Sequence, residues 1–361
     1  MDCTDRREAS AVAESGGDVV RGSSLRGSHN RSVAAAIGLS SLAALLMASL
    51  PVRADAPSEE NLPAPRALSS AYGPLPPPPN RGARRGENPC MTADPGFGVY
   101  DRWQNISTGQ MIAPQRGGIT KACRFDLVVH FHGHEPVRKE FVKTATGQVL
   151  VGIDLGLGSG PYANAFADPS RFERVISSVE AAMAKRNKRD KCTVRKLALS
   201  SWSAGYGATW RILQQPAGRK VDAVILLDSL HGGYLPSGEV SDSMLEPFVA
   251  FARSAAARQK FMFLSHSSIQ PPGYASTTEV ARYLIRKVDP KAKERSARRE
   301  DVLGLDMYAR WDKGNFHVRG YSGDDKPDHC AHLGLMADVM KTHIQPRWQT
   351  PRGQARAASS R

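Results

Sequence analysis

The sequence has no internal repeat, few cysteines and no closely spaced cysteine pairs. The missing repeat argues against solenoid and propeller architectures. The missing cysteine pairs exclude a cysteine-rich zinc site. Aromatic residues make up only 7% of the chain and do not interleave with its basic residues, so we expect no nucleic-acid partner. No aromatic-rich box or long lid insertion indicates a ligand class, and nothing calls for a cofactor.

The chain carries an excess of basic residues, with a formal net charge of +14. Clusters of basic residues lie in the stretches 81–85 and 282–299 and in the last dozen residues. In an exported protein, this charge favours association with acidic polymers or lipid head groups of the cell envelope. A solvated, charge-rich surface explains the same residues, and that alternative stays open.

The N-terminal region has the pattern of a secretory signal. A basic flank at Arg31 precedes an Ala/Leu-rich apolar run, and small residues stand where a signal peptidase cleaves, after Ala54. The alternative is a transmembrane anchor, for which the run is short. We therefore predict a signal peptide over 1–54 and a periplasmic or extracellular protein. A Pro/Arg-rich linker over 55–86, a folded domain over 87–345 and a basic tail over 346–361 follow.

Cleavage after Ala54 would remove Cys3 and leave four cysteines, Cys90, Cys123, Cys192 and Cys330. An even number in an oxidising compartment predicts disulfides. Cys123 and Cys192 each directly precede an apolar strand, so parallel pairing of those strands would bring them together. We predict a Cys123–Cys192 bridge and make no strong claim for the other two.

Apolar runs with little polar alternation indicate strands buried on both faces. They occur at 125–131, 149–153, 194–199, 221–227, 261–264 and 316–321. Segments of helical length separate or follow them, at 170–186, 204–214, 242–256, 277–287 and 330–342. This alternation predicts a single-domain α/β fold with a doubly wound, mostly parallel sheet and helices on both faces. Functional groups then cluster at the carboxyl ends of the strands.

The segment Ser201-Trp202-Ser203-Ala204-Gly205 follows one of these strands. A small residue two places on either side of a central serine allows the sharp strand-to-helix turn called a nucleophile elbow. That turn would expose the hydroxyl of Ser203 at the end of the strand. The first position of the motif holds serine in place of the usual glycine. An ordinary tight turn is the alternative interpretation.

Two further strand ends carry the residues that a serine nucleophile needs. Asp228 ends the strand after the elbow helix, and a buried carboxylate there requires a partner such as a histidine N–H. An N-cap role is its alternative. His329 lies in a polar loop before the closing helix, and we prefer it to His332 as the general base. His231 and His266 are interpreted as structural residues.

The first buried strand ends in His130-Phe131-His132-Gly133-His134. A His-Gly turn at this place matches a loop that supplies one backbone donor of an oxyanion hole, so we assign the N–H groups of His134 and Ala204 to that role. The three alternating histidines also allow a metal site. Few carboxylates or cysteines lie near them in sequence, which disfavours it.

With these residues, the chain resembles the α/β-hydrolase superfamily over about residues 90–345. The matching residues are His132-Gly133, the segment Ser201–Gly205, Asp228 and His329, in the family order of nucleophile, acid and base. The acid follows the strand immediately after the elbow helix, one strand earlier than is common. The resemblance implies a serine hydrolase that cleaves a carboxylic ester, or an amide, through an acyl-enzyme on Ser203. Two alternatives are an envelope-binding protein without turnover and a metal-dependent hydrolase using His130, His132 and His134.

Overall fold

The computed structural model describes residues 88–300 and 305–349 of the chain, all within one compact unit. The predicted signal peptide (1–54), the predicted linker (55–86) and residues 350–361 of the predicted tail lie outside the described residues. Within the described part, no helix is both long enough and apolar enough to cross a bilayer.

Ten strands form a single sheet in the described part of the chain. They are β1 (Gln104–Asn105), β2 (Gln110–Ile112), β3 (Arg124–Phe131), β4 (Val149–Ile153), β5 (Thr193–Trp202), β6 (Ala223–Leu227), β7 (Phe261–His266), β8 (Arg295–Glu300), β9 (Asp306–Lys313) and β10 (Phe316–Tyr321). Their spatial order is β1-β2-β4-β3-β5-β6-β7-β10-β9-β8. The six strands from β4 to β10 in this order are parallel, and antiparallel strands extend both edges.

Helices connect the strands. They are α1 (His134–Thr144), α2 (Ser159–Ala165), α3 (Pro169–Arg186), α4 (Tyr206–Gln214), α5 (Glu246–Ala256), α6 (Thr277–Val288), α7 (Lys326–Ala331), α8 (Leu335–Val339) and α9 (Gln345–Trp348). Short 3₁₀ turns at Ser203–Gly205 and His332–Gly334 precede α4 and α8. The second of these two turns separates α7 from α8.

Side chains that alternate along the strands build a hydrophobic core on each face of the sheet. On β3, Leu127 and Val129 belong to one core and Val128 belongs to the other. The first core also contains residues of α3, α4, α5 and α6, and the second contains residues of α1, α8 and α9. Two-sided burial therefore explains why these strands are apolar throughout. The predicted doubly wound, mostly parallel sheet is confirmed.

All six predicted strands are present, as are the helices predicted at 170–186, 204–214, 242–256 and 277–287, with small shifts of their ends. The predicted closing helix over 330–342 is wrong in detail. A short helix, α7, already begins at Lys326, because the Asp325 side chain accepts the N–H of Asp328 and a proline occupies the first turn. His329 therefore lies in a helix, where we predicted a loop.

Two disulfides join distant parts of the chain. The predicted Cys123–Cys192 bridge is confirmed, with a Cα–Cα distance of 4.7 Å. It connects the residues that precede β3 and β5, which are neighbours in the sheet. The second bridge joins Cys90 to Cys330, with a Cα–Cα distance of 6.2 Å. It ties the first described residues to α7, the helix that carries His329.

Candidate active site

Ser203 occupies a strained turn directly after β5. Its φ angle is +47°, in the left-handed region that a non-glycine residue rarely adopts. Gly205 lies so close to β3 that a Cβ atom there would stand 2.1 Å from the carbonyl oxygen of Phe131. The turn can therefore form only with glycine at this position, and this geometry matches the predicted elbow.

The unusual serine at the start of the motif has a local explanation. Ser201 is fully buried, and its hydroxyl is hydrogen-bonded to the Ser229 hydroxyl at 3.0 Å. Ser229 in turn donates to the carbonyl oxygen of Ser203 at 2.7 Å. The extra hydroxyl is thus satisfied inside the sheet, and it connects the turn at Ser203 to the residue that follows Asp228.

Asp228 and His329 form a hydrogen-bonded pair. The His329 Nδ1 and Asp228 Oδ2 atoms are 2.6 Å apart. Asp228 is almost completely buried, and it also accepts the Ser267 N–H at 2.8 Å and the Thr277 hydroxyl at 2.7 Å. Since the carboxylate accepts at Nδ1, that nitrogen carries the proton, which leaves Nε2 of a neutral ring as a proton acceptor.

The surroundings of Asp228 keep its carboxylate ionised. Burial acts to raise the pKa of Asp228, but the neighbouring histidines and its hydrogen bonds outweigh burial and hold the pKa well below its usual value. His332 is itself neutral at pH 7, because burial lowers its pKa to about 4. At neutral pH, the hydrogen bonds from His329, Thr277 and Ser267 remain to stabilise the carboxylate.

Trp202 holds His329 from the side. The indole lies against the His329 ring, with centroids 4.7 Å apart and planes 29° apart, and its Nε1–H donates to the carbonyl oxygen of His329 at 3.0 Å. The Trp202 ring is also stacked on His132, at 5.1 Å and 13°. Trp202 is the residue directly before Ser203, so one side chain connects the nucleophile turn to the candidate base. Sequence reasoning assigned it no role.

The other candidate histidines next to Asp228 are structural in their contacts. His332 is fully buried, and its Nδ1 is hydrogen-bonded to the Ser265 hydroxyl at 2.8 Å. His266 is also fully buried, against the Thr278 hydroxyl at 2.8 Å, and burial lowers its pKa to about 3. The histidine that bonds to the Asp228 carboxylate is therefore His329.

His134 begins helix α1 and turns toward Asp154. The Asp154 carboxylate accepts the backbone N–H of Gly133 at 2.7 Å and that of His134 at 3.4 Å, and it also bonds to the His134 ring through Nδ1. Burial acts to lower the pKa of His134, but Asp154 outweighs it and raises the pKa. The N–H that we predicted as an oxyanion donor thus faces a carboxylate. Asp154, directly after β4, was missed by sequence reasoning.

The three histidines proposed as a metal alternative point to different partners. His130 is fully buried between the Ser200 hydroxyl at 2.9 Å and the carbonyl oxygen of His132 at 2.7 Å. The His132 ring bonds to the Tyr162 hydroxyl at 2.8 Å, and His134 bonds to Asp154. Among the described residues, the one group of side chains with metal-ligand spacing is acidic, Asp324, Asp325 and Asp328.

A pocket of about 570 Å³ opens at Ser203. Ser203 and Ala204 form part of its wall, and Tyr206, His231 and Tyr274 form another part. None of the described residues that line it is Asp, Glu, Lys or Arg. A carbonyl group that reaches Ser203 would therefore enter a largely uncharged space.

The strand order, the positive-φ serine after the central β5 and the Asp–His pair at the same edge of the sheet together define the fold. It is an α/β-hydrolase fold. No protein-family model matches the sequence, and no curated protein is similar to it in sequence.

Several solved structures are similar to part of this chain, each with a TM-score of 0.40 or below. Ferric enterobactin esterase from Salmonella typhimurium has 12% identity and a TM-score of 0.40, over 70% of this chain and 62% of its own. A poly(3-hydroxybutyrate) depolymerase from Bordetella parapertussis has 14% identity and a TM-score of 0.38, over 68% of this chain and 87% of its own. A siderophore hydrolase from Aspergillus nidulans has 13% identity and a TM-score of 0.38, over 73% of this chain and 99% of its own. Values of this size carry no information on activity.

Proposed function

We propose that this protein is an exported serine hydrolase that cleaves a carboxylic ester through an acyl-enzyme on Ser203. The observation that carries the proposal is the Asp228–His329 pair at 2.6 Å, held by Trp202 against the turn that presents Ser203 to a pocket. A nucleophile, a base and a carboxylate that orients the base are the parts that acyl transfer requires.

In the proposed reaction, Nε2 of His329 takes the proton of the Ser203 hydroxyl as the serine oxygen attacks the ester carbonyl. Asp228 keeps the Nδ1 proton in place and stabilises the imidazolium that forms. His329 then returns the proton to the leaving alkoxide, and the ester bond breaks. Water repeats the sequence on the acyl-enzyme, releasing the acid and restoring Ser203.

The backbone N–H of Ala204 is the proposed oxyanion donor, because it follows the nucleophile at the start of the 3₁₀ turn and lines the pocket. We assign His134 a structural role instead. Its backbone N–H and its ring both bond to Asp154 at the first turn of α1, and it is not one of the described residues that line the pocket. Export, the acidic envelope partner and the boundaries of the signal peptide belong to the same proposal.

A fluorophosphonate probe tests the proposal. We expect covalent labelling of the wild-type protein, loss of labelling in Ser203→Ala, and unchanged labelling in Ser254→Ala, a serine on the exposed side of α5. A folded wild-type protein that is not labelled would contradict a serine hydrolase and favour a binding protein. Ester hydrolysis that survives in Ser203→Ala and is blocked by a chelator would favour the metal alternative.

A further inference from the structure

One ring nitrogen in the pocket has no partner. His231 lines the pocket beside Ser203, and its Nδ1 is hydrogen-bonded to the carbonyl oxygen of Ala275 at 3.1 Å. A carbonyl oxygen can only accept, so Nδ1 carries the ring proton. Within residues 88–300 and 305–349, no hydrogen bond engages Nε2, and the side chain is only half-buried.

The His231 ring is held in its orientation on two sides. It packs edge-to-face against Tyr206, with centroids 6.0 Å apart, and against Tyr274, with centroids 5.0 Å apart and planes at 89°. Burial lowers the pKa of His231, so the ring stays neutral at pH 7. A neutral ring protonated at Nδ1 offers Nε2 as a fixed hydrogen-bond acceptor.

The mouth of the pocket is apolar. Leu157 is 71% exposed and Tyr274 is 44% exposed, and both line the pocket. Large apolar side chains at this exposure are few in the described part of the chain, and two of them meet here. Together with the uncharged lining, they favour a neutral ligand with a flat apolar body.

We propose that His231 determines specificity: its Nε2 accepts a hydrogen bond from a hydroxyl group on the substrate, which is an uncharged ester with an aryl body that carries this hydroxyl. The inference rests on the proposed function for the ester bond. A bound analogue that lacks the hydroxyl would cover Nε2 and leave it unpaired, and this cost is a basis for discrimination between the two ligands.

Matched esters test the inference. Methyl 3-(4-hydroxyphenyl)propanoate and its 4-methoxy analogue are similar in size, but only the first can donate to Nε2. We expect the wild-type kcat/KM to favour the hydroxy ester by about tenfold, the size of one hydrogen bond of about 1.4 kcal/mol. His231→Phe keeps the ring but removes the acceptor, so the preference should disappear. His231→Gln restores an acceptor and should recover part of the preference.

A second measurement removes any dependence on the spacing between hydroxyl and ester. In the Ser203→Ala variant, which cannot turn over, calorimetric titration should show tighter binding of 4-ethylphenol than of 4-ethylanisole, and His231→Phe in that background should equalise them. Equal binding of the two compounds to Ser203→Ala would overturn the inference. A preference for 4-ethylphenol that persists after His231→Phe is added would also overturn it. The fluorophosphonate result is independent of both, so failure of the hydrolase proposal and failure of this inference are distinguishable.

Discussion

Two aspartate–histidine pairs lie at the carboxyl edge of the same sheet. Asp154 follows β4 and Asp228 follows β6, and each carboxylate bonds to Nδ1 of a histidine. Asp154 also accepts two backbone N–H groups at the start of α1, so its carboxylate caps the N-terminus of that helix. Asp228 instead accepts the Ser267 N–H and the Thr277 hydroxyl, and its histidine belongs to a separate helix.

The two pairs differ in the side chain against which each imidazole ring packs. The His329 ring is stacked on Trp202, the residue before Ser203. The His134 ring lies edge-on to Trp103, and the Trp103 indole donates to Glu135 at 2.7 Å. An Asp–His pair is thus not in itself a catalytic device. We expect its chemistry to depend on what surrounds the imidazole ring.

The largest difference in activity between the two pairs should appear when each histidine is replaced by alanine. We expect His329→Ala to lower kcat by up to about 10⁶-fold, because the serine then loses its base. His134→Ala should leave kcat within about tenfold, because that ring holds a helix end. Steady-state ester hydrolysis measures both, with circular dichroism as a check on folding. Equal losses would contradict the distinction between the pairs.

Replacing the two aspartates should affect different properties: Asp228→Asn should lower activity, and Asp154→Asn should lower stability. Asp228→Asn should reduce kcat by about 10⁴-fold, because an amide no longer holds the His329 proton on Nδ1. Asp154→Asn should chiefly lower the free energy of unfolding, by about 1–2 kcal/mol, the usual value of a helix cap. Urea titration and hydrolysis, measured on both variants, give the two quantities. A catalytic loss in Asp154→Asn as large as in Asp228→Asn would assign Asp154 to the reaction.

The Trp202 contact can be divided into its stacking and its hydrogen bond. Trp202→Phe keeps a ring against His329 but loses the N–H to its carbonyl oxygen, and we expect a loss in kcat of about tenfold or less. Trp202→Leu also removes the stacking, and about 100-fold is expected. The downfield NMR signal of the His329 Nδ1 proton should persist in the first variant and broaden in the second. Unchanged activity in Trp202→Leu would contradict a role of Trp202 in positioning His329.

The smallest effect concerns pH. Because the folded-state pKa of His134 is raised, its stabilising contribution is complete below its unfolded pKa of about 6.5 and is lost as pH rises through the folded value. Wild type should therefore exceed His134→Gln in stability at pH 6, by less than about 1 kcal/mol, and the gap should narrow by pH 9. Urea titrations at several pH values measure it, and a gap that widens would contradict the pairing.

Asp228 supplies the opposite pH control. Its folded-state pKa is lowered, so its contribution is present above its unfolded pKa of about 3.9 and is lost only as pH falls through the folded value. The titration of the Asp228 carboxylate itself should thus add no slope to the stability difference between wild type and Asp228→Asn from pH 6 to pH 9. A slope in that range would mean that another group titrates with the pair.

The buried strands and the residues at their ends could be predicted because both follow from two-sided burial. Val149–Ile153 is apolar since helices cover both faces, and Asp228 was selected because a carboxylate ends such a strand. The same rule applied to Asp154 would have found the second pair. The sequence alone does not show that the ring of His134, expected to act through its backbone N–H, bonds to this carboxylate.

Short helices and edge strands could not be predicted from the same signal. Helix α1 follows a His-Gly turn, and its fully buried apolar side chains include Val137 and Phe141, four residues apart, among charged residues. Strand β9 buries Met307, Ala309 and Trp311 on alternate positions, and Tyr308 and Arg310 lie between them. The contact of Trp202 with His329 joins residues far apart in the chain, and no local pattern records it.

The central claim is that Ser203 carries the acyl group, and mass spectrometry of quenched turnover tests it most directly. Trypsin should release residues 197–211, a peptide that contains Ser200, Ser201 and Ser203. After acid quenching during hydrolysis of p-nitrophenyl acetate, fragmentation of this peptide should place an acetyl group on Ser203. It should accumulate in Asp228→Asn if that change slows deacylation more than acylation. An acetyl group on Ser200 or Ser201, or hydrolysis with no adduct on this peptide in either protein, would contradict the account.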